Sequence, residues 1–477
     1  MDTTNDDDEL NRLANKYIKT PAKDADATNQ EKTSFVSLKN KFKSALEEHR
    51  VVAPLDTGNG RRHLTDEEIL GDGPPKKEDA IETDAAMNCG PIKGETEGRR
   101  RESSTPTEGE DPTNTRNFKT GVVDPVVAGL SEAVRARVGL WLLLCVAGCY
   151  VGVSMGGFTR LNEAAMKMTD LHPFRWIPPF GHWEEEFDNY KKYDEYALLP
   201  AEERQELTLN EFIYRWFLVY FHRIGGRMLF FLFVIPCSVF WYKGYFNRPL
   251  KYRMTIAGLL MLAQIPLGWY MLNSGLNRNL MANKKKPGVS QYRMAVHLIT
   301  PFFMFGIFLY NALSLLVEPQ NHFKVAKIGS ARLLGKILIG LLLVGSFMGS
   351  FLTALDAAEP EYARAWIPDD LWVLIPKWKN IFENPVTANF VHRYLGYITF
   401  AMINLTFFYC SRLQLLPRAE MALKAIMALG YSQLCLGIIT LYFRDPAVFA
   451  WLHQNFSVHL FSAIIWFVHE IRELPRD

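Results

Sequence analysis

The chain has 477 residues, of which 53 are Lys or Arg, 51 are Asp or Glu and 48% are hydrophobic. A formal net charge of +2 decides nothing by itself, and no nucleic-acid partner is expected. The even average hides two unlike parts, a polar first quarter and a very apolar remainder.

From Met1 to about Arg135 no apolar run is long enough to cross a bilayer, and Asp, Glu, Lys, Thr, Gly and Pro dominate, as in Gly94 to Thr115. Such a composition cannot bury enough apolar surface to offset chain entropy, so residues 1–135 are expected to be largely disordered. Within them Phe35, Leu38, Phe42 and Leu46 recur at helical spacing, which predicts a short solvated or surface-lying helix over 33–50. The acidic opening, Met1-Asp2-Thr3-Thr4-Asn5-Asp6-Asp7-Asp8-Glu9, is the reverse of an Arg-rich, acid-poor organellar presequence, leaving either unusual targeting or a misplaced start.

Apolar segments follow at roughly 138–158, 216–242, 253–273, 292–316, 333–354, 389–410, 419–442 and 448–469. Each is about 20 residues, enough to span about 30 Å of hydrocarbon. The expected fold class is an all-α membrane protein. Eight transmembrane helices would form two parallel pseudo-symmetric four-helix bundles, 136–320 and 321–477, after the disordered tail. Basic residues in short loops set the orientation. Lys243, Arg248 and Lys251, then Lys324, Lys327 and Arg332, then Arg412 and Arg418 fall on the side of both termini. The acidic loops holding Glu184-Glu185-Glu186 and Asp369-Asp370 fall on the other, where Lys284-Lys285-Lys286 breaks the pattern.

The two halves echo one another. Phe221 to Arg227, F-H-R-I-G-G-R, returns as Val391 to Tyr397, V-H-R-Y-L-G-Y, with 392 − 222 = 170 between the histidines. Gln264 to Gly268 returns as Gln433 to Gly437 at 169, and Gly156 with Glu163-Ala164-Ala165 returns as Gly349 with Asp356-Ala357-Ala358 at 193. Three matches at nearly fixed spacing mark one duplication. In each copy a glycine, Gly226 or Gly396, lies one turn beyond the histidine on the same face, which suits a flat macrocycle against the helix, haem above all.

His222, His297, His392 and His453 each fall in the first turns after a loop on the face opposite the N-terminus, so they share one depth. A lone intramembrane histidine is usually a packing residue. Four at one depth, on the second and fourth helix of each half, point instead to two bis-histidine haem sites with these residues as iron ligands. His459 competes with His453, since six residues turn a helix by about 240° and only one of the two can face the cofactor. His469, His49 and His63 need no function.

Arg160, Arg223, Arg227 and Arg393 are candidates for pairing haem propionates through charge-assisted hydrogen bonds, with interfacial anchoring as the alternative. Cys145, Cys149, Cys237, Cys410 and Cys435 lie in apolar helices, where a small buried thiol is the default, and Cys89 stands alone. No C-x-x-C-H occurs, so covalent haem attachment is not expected, and there is neither a Walker A sequence nor H-E-x-x-H.

A set of motifs then acquires a common meaning. Gly156 to Glu163, Pro178-Pro179, Trp183 to Phe187, Glu211-Phe212, His222-Arg223, Leu267 to Met271 with Ser274-Gly275-Leu276, and Ser290 to Arg293 through His297-Leu298 resemble the haem A synthase family of mitochondrial type. So do Leu355-Asp356-Ala357, Trp366-Ile367-Pro368, Phe382 to Pro385, His392-Arg393 and His453-Gln454. The resemblance covers about 138–474 and leaves out the tail.

It implies a multi-pass protein of the mitochondrial inner membrane that oxidises a methyl group of haem O to the formyl group of haem A for cytochrome oxidase assembly. It implies that the N-terminal half, with His222 and His297, holds the substrate haem, and that the C-terminal half, with His392 and His453, holds a haem b. One-electron and oxygen chemistry is beyond side chains, and an iron porphyrin supplies it. The implied partners are haem O and the haem O synthase that makes it, a ferredoxin-type electron donor, the lipid bilayer and a second copy of the chain.

Two departures bear on catalysis. Family members carry a glutamate three residues before the first ligand histidine, where this chain has Val219, and the F-P-x-M stretch after the fifth helix is missing from the short run Ala358 to Arg364. The outer loop also lacks the cysteine pair of bacterial relatives. Glu163 is the nearest family-matched carboxylate, which makes it the candidate acid beside His222 and His297; partnering Arg160 at a helix end is its alternative role. Two other classes stay open: a bis-histidine haem electron carrier without the oxidation step, which Val219 favours, and a haem-binding assembly factor without redox turnover.

Overall fold

A computed structural model describes residues 124–474 apart from 163, 165–175, 193–195, 197–200, 277–287, 323–324, 359, 364 and 444–446, and apart from the side chains of 202, 203 and 360. Of the tail expected to be disordered, 1–123 lies outside the described residues, as do the helix over 33–50, Lys284-Lys285-Lys286, Lys324 and Glu163; its last part, 124–135, is instead ordered, with Val126 and Val127 buried and a helix beginning at Glu132.

Among the described residues all regular structure is helical. The long helices are α1 (Glu132–Leu161), α4 (Leu209–Tyr242), α5 (Arg248–Leu276), α6 (Gln291–Leu316), α7 (Ile328–Ala354), α9 (Pro385–Cys410), α10 (Pro417–Tyr442) and α11 (Ala447–Glu470). The short α2 (Trp183–Tyr190) and α3 (Ala201–Glu206) precede α4, and three 3-10 turns with α8 (Asn380–Glu383) precede α9. Six helices, α1, α4, α5, α6, α7 and α10, are long and apolar enough to cross a membrane, against the eight expected. The other two form as helices of 26 and 24 residues. What dilutes their apolar character is Asn389, His392 and Arg393 in α9, and His453, Gln454, Asn455 and His459 in α11.

The helix ends follow from local chemistry. Thr208 caps α4 by accepting from the Glu211 N–H at 3.3 Å, and Glu211 pairs with Arg215 one turn on at 2.6 Å. Asn384 caps α9 by accepting from the Val386 N–H at 3.0 Å, with Pro385 at the first helical position, where its missing N–H costs nothing. Pro236 lies inside α4 and leaves the Leu232 carbonyl without its helical donor. The Trp141 indole N–H on α1 donates to that carbonyl at 2.8 Å, so the group is satisfied without water and α1 is fixed against α4.

Burial separates the helices into central and peripheral. In α1, α6 and α7 44%, 50% and 39% of the apolar window is buried inside the protein, against 11% in each of α4, α5 and α10. Phe302 and Phe305 of α6 meet Phe461 of α11 at ring-centroid distances of 5.5 and 6.3 Å, and residues of both expected halves lie in one hydrophobic cluster.

A polar knot joins the other end of this core. Arg472, just past α11, donates to Asp124 Oδ2 at 3.0 Å, with the two side chains only 6% and 5% exposed. His469 bridges from Arg472 to the Ser314 hydroxyl at the end of α6, 3.2 Å away, and Arg418 at the start of α10 pairs with Glu470 at 3.2 Å. The segment before α1, the end of α6, the start of α10 and the end of α11 therefore gather on one face.

Candidate functional site

The four histidines are built into the same kind of wall. His222 on α4 lies against α1 so closely that a Cβ on Gly156 would be 2.8 Å from its Cε1; His297 on α6 faces Gly268 of α5 with the corresponding distance 3.0 Å. His392 on α9 faces Gly349 of α7 at 3.0 Å, and His453 on α11 faces Gly437 of α10 at 3.1 Å. Each imidazole thus has bare helix backbone behind it, which only glycine allows. Gly156 with Gly349, and Gly268 with Gly437, are the glycines matched in the internal repeat.

The histidines come together in pairs. His392 and His453 have ring centroids 6.4 Å apart and planes at 78°. His222 and His297 are likewise electrostatic neighbours. His392 Nδ1 lies 3.1 Å from the Gly345 carbonyl, so Nδ1 carries the proton and Nε2 keeps its lone pair. His222 faces the Gly152 carbonyl, the repeat counterpart of Gly345, without closing a hydrogen bond of ordinary geometry. His453 Nε2 is 3.2 Å from the Gln433 side-chain amide N–H, again an Nε2 that accepts. The buried Nδ1 atoms of His222, His297 and His453 have no hydrogen-bond partner.

This donor set fits haem and not a bare ion. With centroids 6.4 Å apart, the His392 and His453 imidazoles are near enough that both would hold one metal. Among the described residues no three His, Cys, Asp or Glu converge to hold an ion. Two protein ligands suffice only where a macrocycle brings the remaining nitrogens. One turn beyond His222 and His392, Gly226 and Gly396 are exposed, and an added Cβ at either would meet nothing within 4 Å, leaving a flat helix face beside each ligand.

The other candidates are placed less uniformly. His459, six residues after His453, is exposed and packs on Tyr150 at 5.1 Å, away from His392. Arg160 donates to the Thr353 carbonyl of α7, and Arg227 lies over the Trp176 ring at 5.3 Å. Arg393 donates to the carbonyls of Ala363, Ala365 and Trp366 at 2.9 to 3.0 Å, clamping the loop before α9. Arg223 sits beside His222 and acts on it electrostatically. Val219 is 6% exposed in an apolar cluster with Ala164, Phe187, Tyr190, Phe212 and Leu218, so no carboxylate stands there. The thiols of Cys145, Cys149 and Cys410 are buried as expected, whereas Cys435 is exposed.

Sequence reasoning missed several contacts. Gln433 is a repeat match whose contact its residue type does not reveal, and the carbonyl of Gly345 carries no signal at all, since a backbone acceptor leaves no trace in residue type. The repeat itself could have pointed to the glycine walls, because Gly268 and Gly437 fall at the same offset as Gln264 and Gln433.

Long apolar helices that carry two pairs of glycine-backed histidines define a helical, multi-pass membrane protein. The chain belongs to the COX15-CtaA family of cytochrome oxidase assembly proteins, whose pattern it matches over residues 139–465. It is 34% identical to Heme A synthase COX15 of Homo sapiens over 354 residues, covering 72% of this chain and 85% of that one. It is 30% identical to the Saccharomyces cerevisiae protein of the same name over 409 residues, 76% of this chain and 81% of the relative. Heme A synthase of Ehrlichia ruminantium is 30% identical over 353 residues, 72% of this chain and 96% of that protein.

Proposed function

We propose that the chain is a haem A synthase, a multi-pass oxidoreductase of the mitochondrial inner membrane that converts haem O to haem A for cytochrome oxidase assembly. The observation that carries the site reading is the His392–His453 pair, crossed at 78° with centroids 6.4 Å apart, and its counterpart His222–His297 on equivalent glycine walls. In this reading α9 and α11 also span the membrane, giving eight helices in two pseudo-symmetric halves, 136–320 and 321–477. His222 and His297 hold the substrate haem O; His392 and His453 hold a haem b.

Bound iron porphyrin supplies the one-electron and oxygen chemistry that side chains lack. The protein's own part is positional. The glycine walls at Gly156, Gly268, Gly349 and Gly437 fix where each ring can stand, and the Gly345 carbonyl sets the His392 tautomer. Val219 and its apolar neighbours keep water from the α4 side. Proton handling falls to another acid, and Glu163 is the proposed one, two residues beyond the end of α1; such groups contribute roughly 10² to 10⁴-fold in rate. Arg160, Arg223, Arg227 and Arg393 are proposed to reach haem propionates on loading, Arg393 by exchanging loop carbonyls for carboxylate. Haem O synthase, a ferredoxin-type electron donor and a second copy of the chain are the proposed partners.

The test is expression alongside a haem O source with extraction of the pigment. Haem A is expected, and Glu163→Gln is expected to stop its formation while the haem on His392 and His453 stays bound. Undiminished haem A from Glu163→Gln removes Glu163 from the mechanism.

A further inference from the structure

Trp451 and Gln454 lie within two residues of His453 on α11. Both reach across to α1, onto the turn that backs His222. Trp451 Nε1 donates to the Ser154 carbonyl and hydroxyl, each at 3.1 Å, and its ring meets Phe158 at 5.6 Å. Gln454 Nε2 donates to the Val153 carbonyl at 2.9 Å. Its amide fits only because the facing residue is Gly157, where a Cβ would collide with it. The neighbouring Gly156 is the wall behind His222. One short stretch of α1, 153–158, therefore touches a ligand of the first pair and two residues, Trp451 and Gln454, on the same turn as a ligand of the second.

The junction is built only once. At the histidine offset, 453 − 297 = 156, the counterparts of Trp451 and Gln454 are Ala295 and Leu298, which carry no hydrogen-bonding group, and the α7 counterpart of Gly157 is Ser350. Duplication alone does not account for a polar contact in one direction. A helix carbonyl in hydrocarbon already serves its own ladder, so an added side-chain donor there ties one helix to another at a fixed height and rotation.

We infer that Trp451 and Gln454 are positioning residues that dock the second histidine pair on the wall of the first through Ser154, Val153 and Gly157, fixing the separation of the two sites. This rests on the reading of the two pairs as haem sites. The docking bonds hold a register between packed helices. Gln454→Ala removes its bond, Trp451→Phe removes the indole donor but keeps a ring on Phe158, and Gly157→Ala expels the Gln454 amide from the opposite side.

The experiment is pulsed EPR on the full-length protein purified with both ferric haems, reading the iron–iron distance distribution. Gly340, whose added Cβ meets nothing, provides the matched Gly→Ala control. A broadened or displaced distribution is expected in Gly157→Ala, in Gln454→Ala and in Trp451→Phe, with Gly157→Ala/Gln454→Ala no worse than either single variant because both act on one contact. Gly340→Ala keeps the unmutated distribution. If Gly157→Ala does not accumulate, Gln454→Ala and Trp451→Phe, which only remove atoms, decide the matter. Two low-spin signals with an unmoved distance in both overturn the junction alone. Fewer than two low-spin signals in the unmutated protein overturn the paired-haem reading, and this inference with it.

Discussion

Gly349 stands so close behind His392 that a Cβ on the glycine would lie 3.0 Å from the imidazole Cε1. Ordinary packing tolerates 3.4 Å or more, so alanine there must push the ring forward or force α7 and α9 apart; overpacking of this kind costs about 1–3 kcal/mol. Gly349→Ala is expected to lower haem content and shift the low-spin spectrum. Gly340→Ala, in open space on the same helix, is expected to change neither. Equal haem loss in both would mean that α7 responds to any alanine.

His453 and His459 differ in what they touch. His453→Ala is expected to abolish a low-spin b-type spectrum, because its ring faces His392, while His459→Ala, which loses only contacts with Tyr150 and Phe456, keeps it. Optical spectra of the purified variants decide the point, and the reverse outcome transfers the ligand role to His459.

The two histidines also show what could be read in advance. Length and hydropathy located all eight long helices, since an apolar run between polar loops is a local property. The 240° argument left room for only one of the two to face a cofactor, and shared depth favoured His453; the contact of His459 with Tyr150 of α1 carries no signal in residue type. Arg393 illustrates a different limit: a guanidinium beside a candidate ligand histidine reads as a propionate partner, whereas the carbonyls of Ala363, Ala365 and Trp366, which it meets, are announced by no residue type. The repeat exposed equivalence between Gln264 and Gln433 but not contact, and Gln433 proved to touch His453.

Asp124 and Arg472 form an ion pair that is almost wholly out of solvent. Removing one partner strands the other charge, at a cost of about 3–5 kcal/mol. Asp124→Ala is therefore expected to lower thermal stability in detergent markedly, with Asp124→Asn intermediate. An unchanged melting temperature in Asp124→Ala would show that the pair is solvated in practice.

His322, in the connection between α6 and α7, has its pKa lowered from 6.5, chiefly by burial, with Glu470 partly opposing. The folded state then binds fewer protons than the unfolded one below that value. Its contribution is intact above pH 6.5 and is lost as pH falls toward the lowered folded pKa. Stability should drop on acidification through this window, and His322→Asn should flatten that part of the profile. A drop of the same size in the variant would assign it to other groups.

The chain is proposed to oxidise haem O without a carboxylate at position 219. The most direct measurement is the pyridine haemochrome spectrum of pigment from cells that make haem O, lack their own haem A synthase, and express either the unmutated chain or Val219→Glu. Haem A is expected from the unmutated chain, with no gain from Val219→Glu, whose added charge would stand unpaired in the apolar cluster around Phe212. Haem A from Val219→Glu and none from the unmutated chain would contradict that expectation and make this protein a bis-histidine electron carrier.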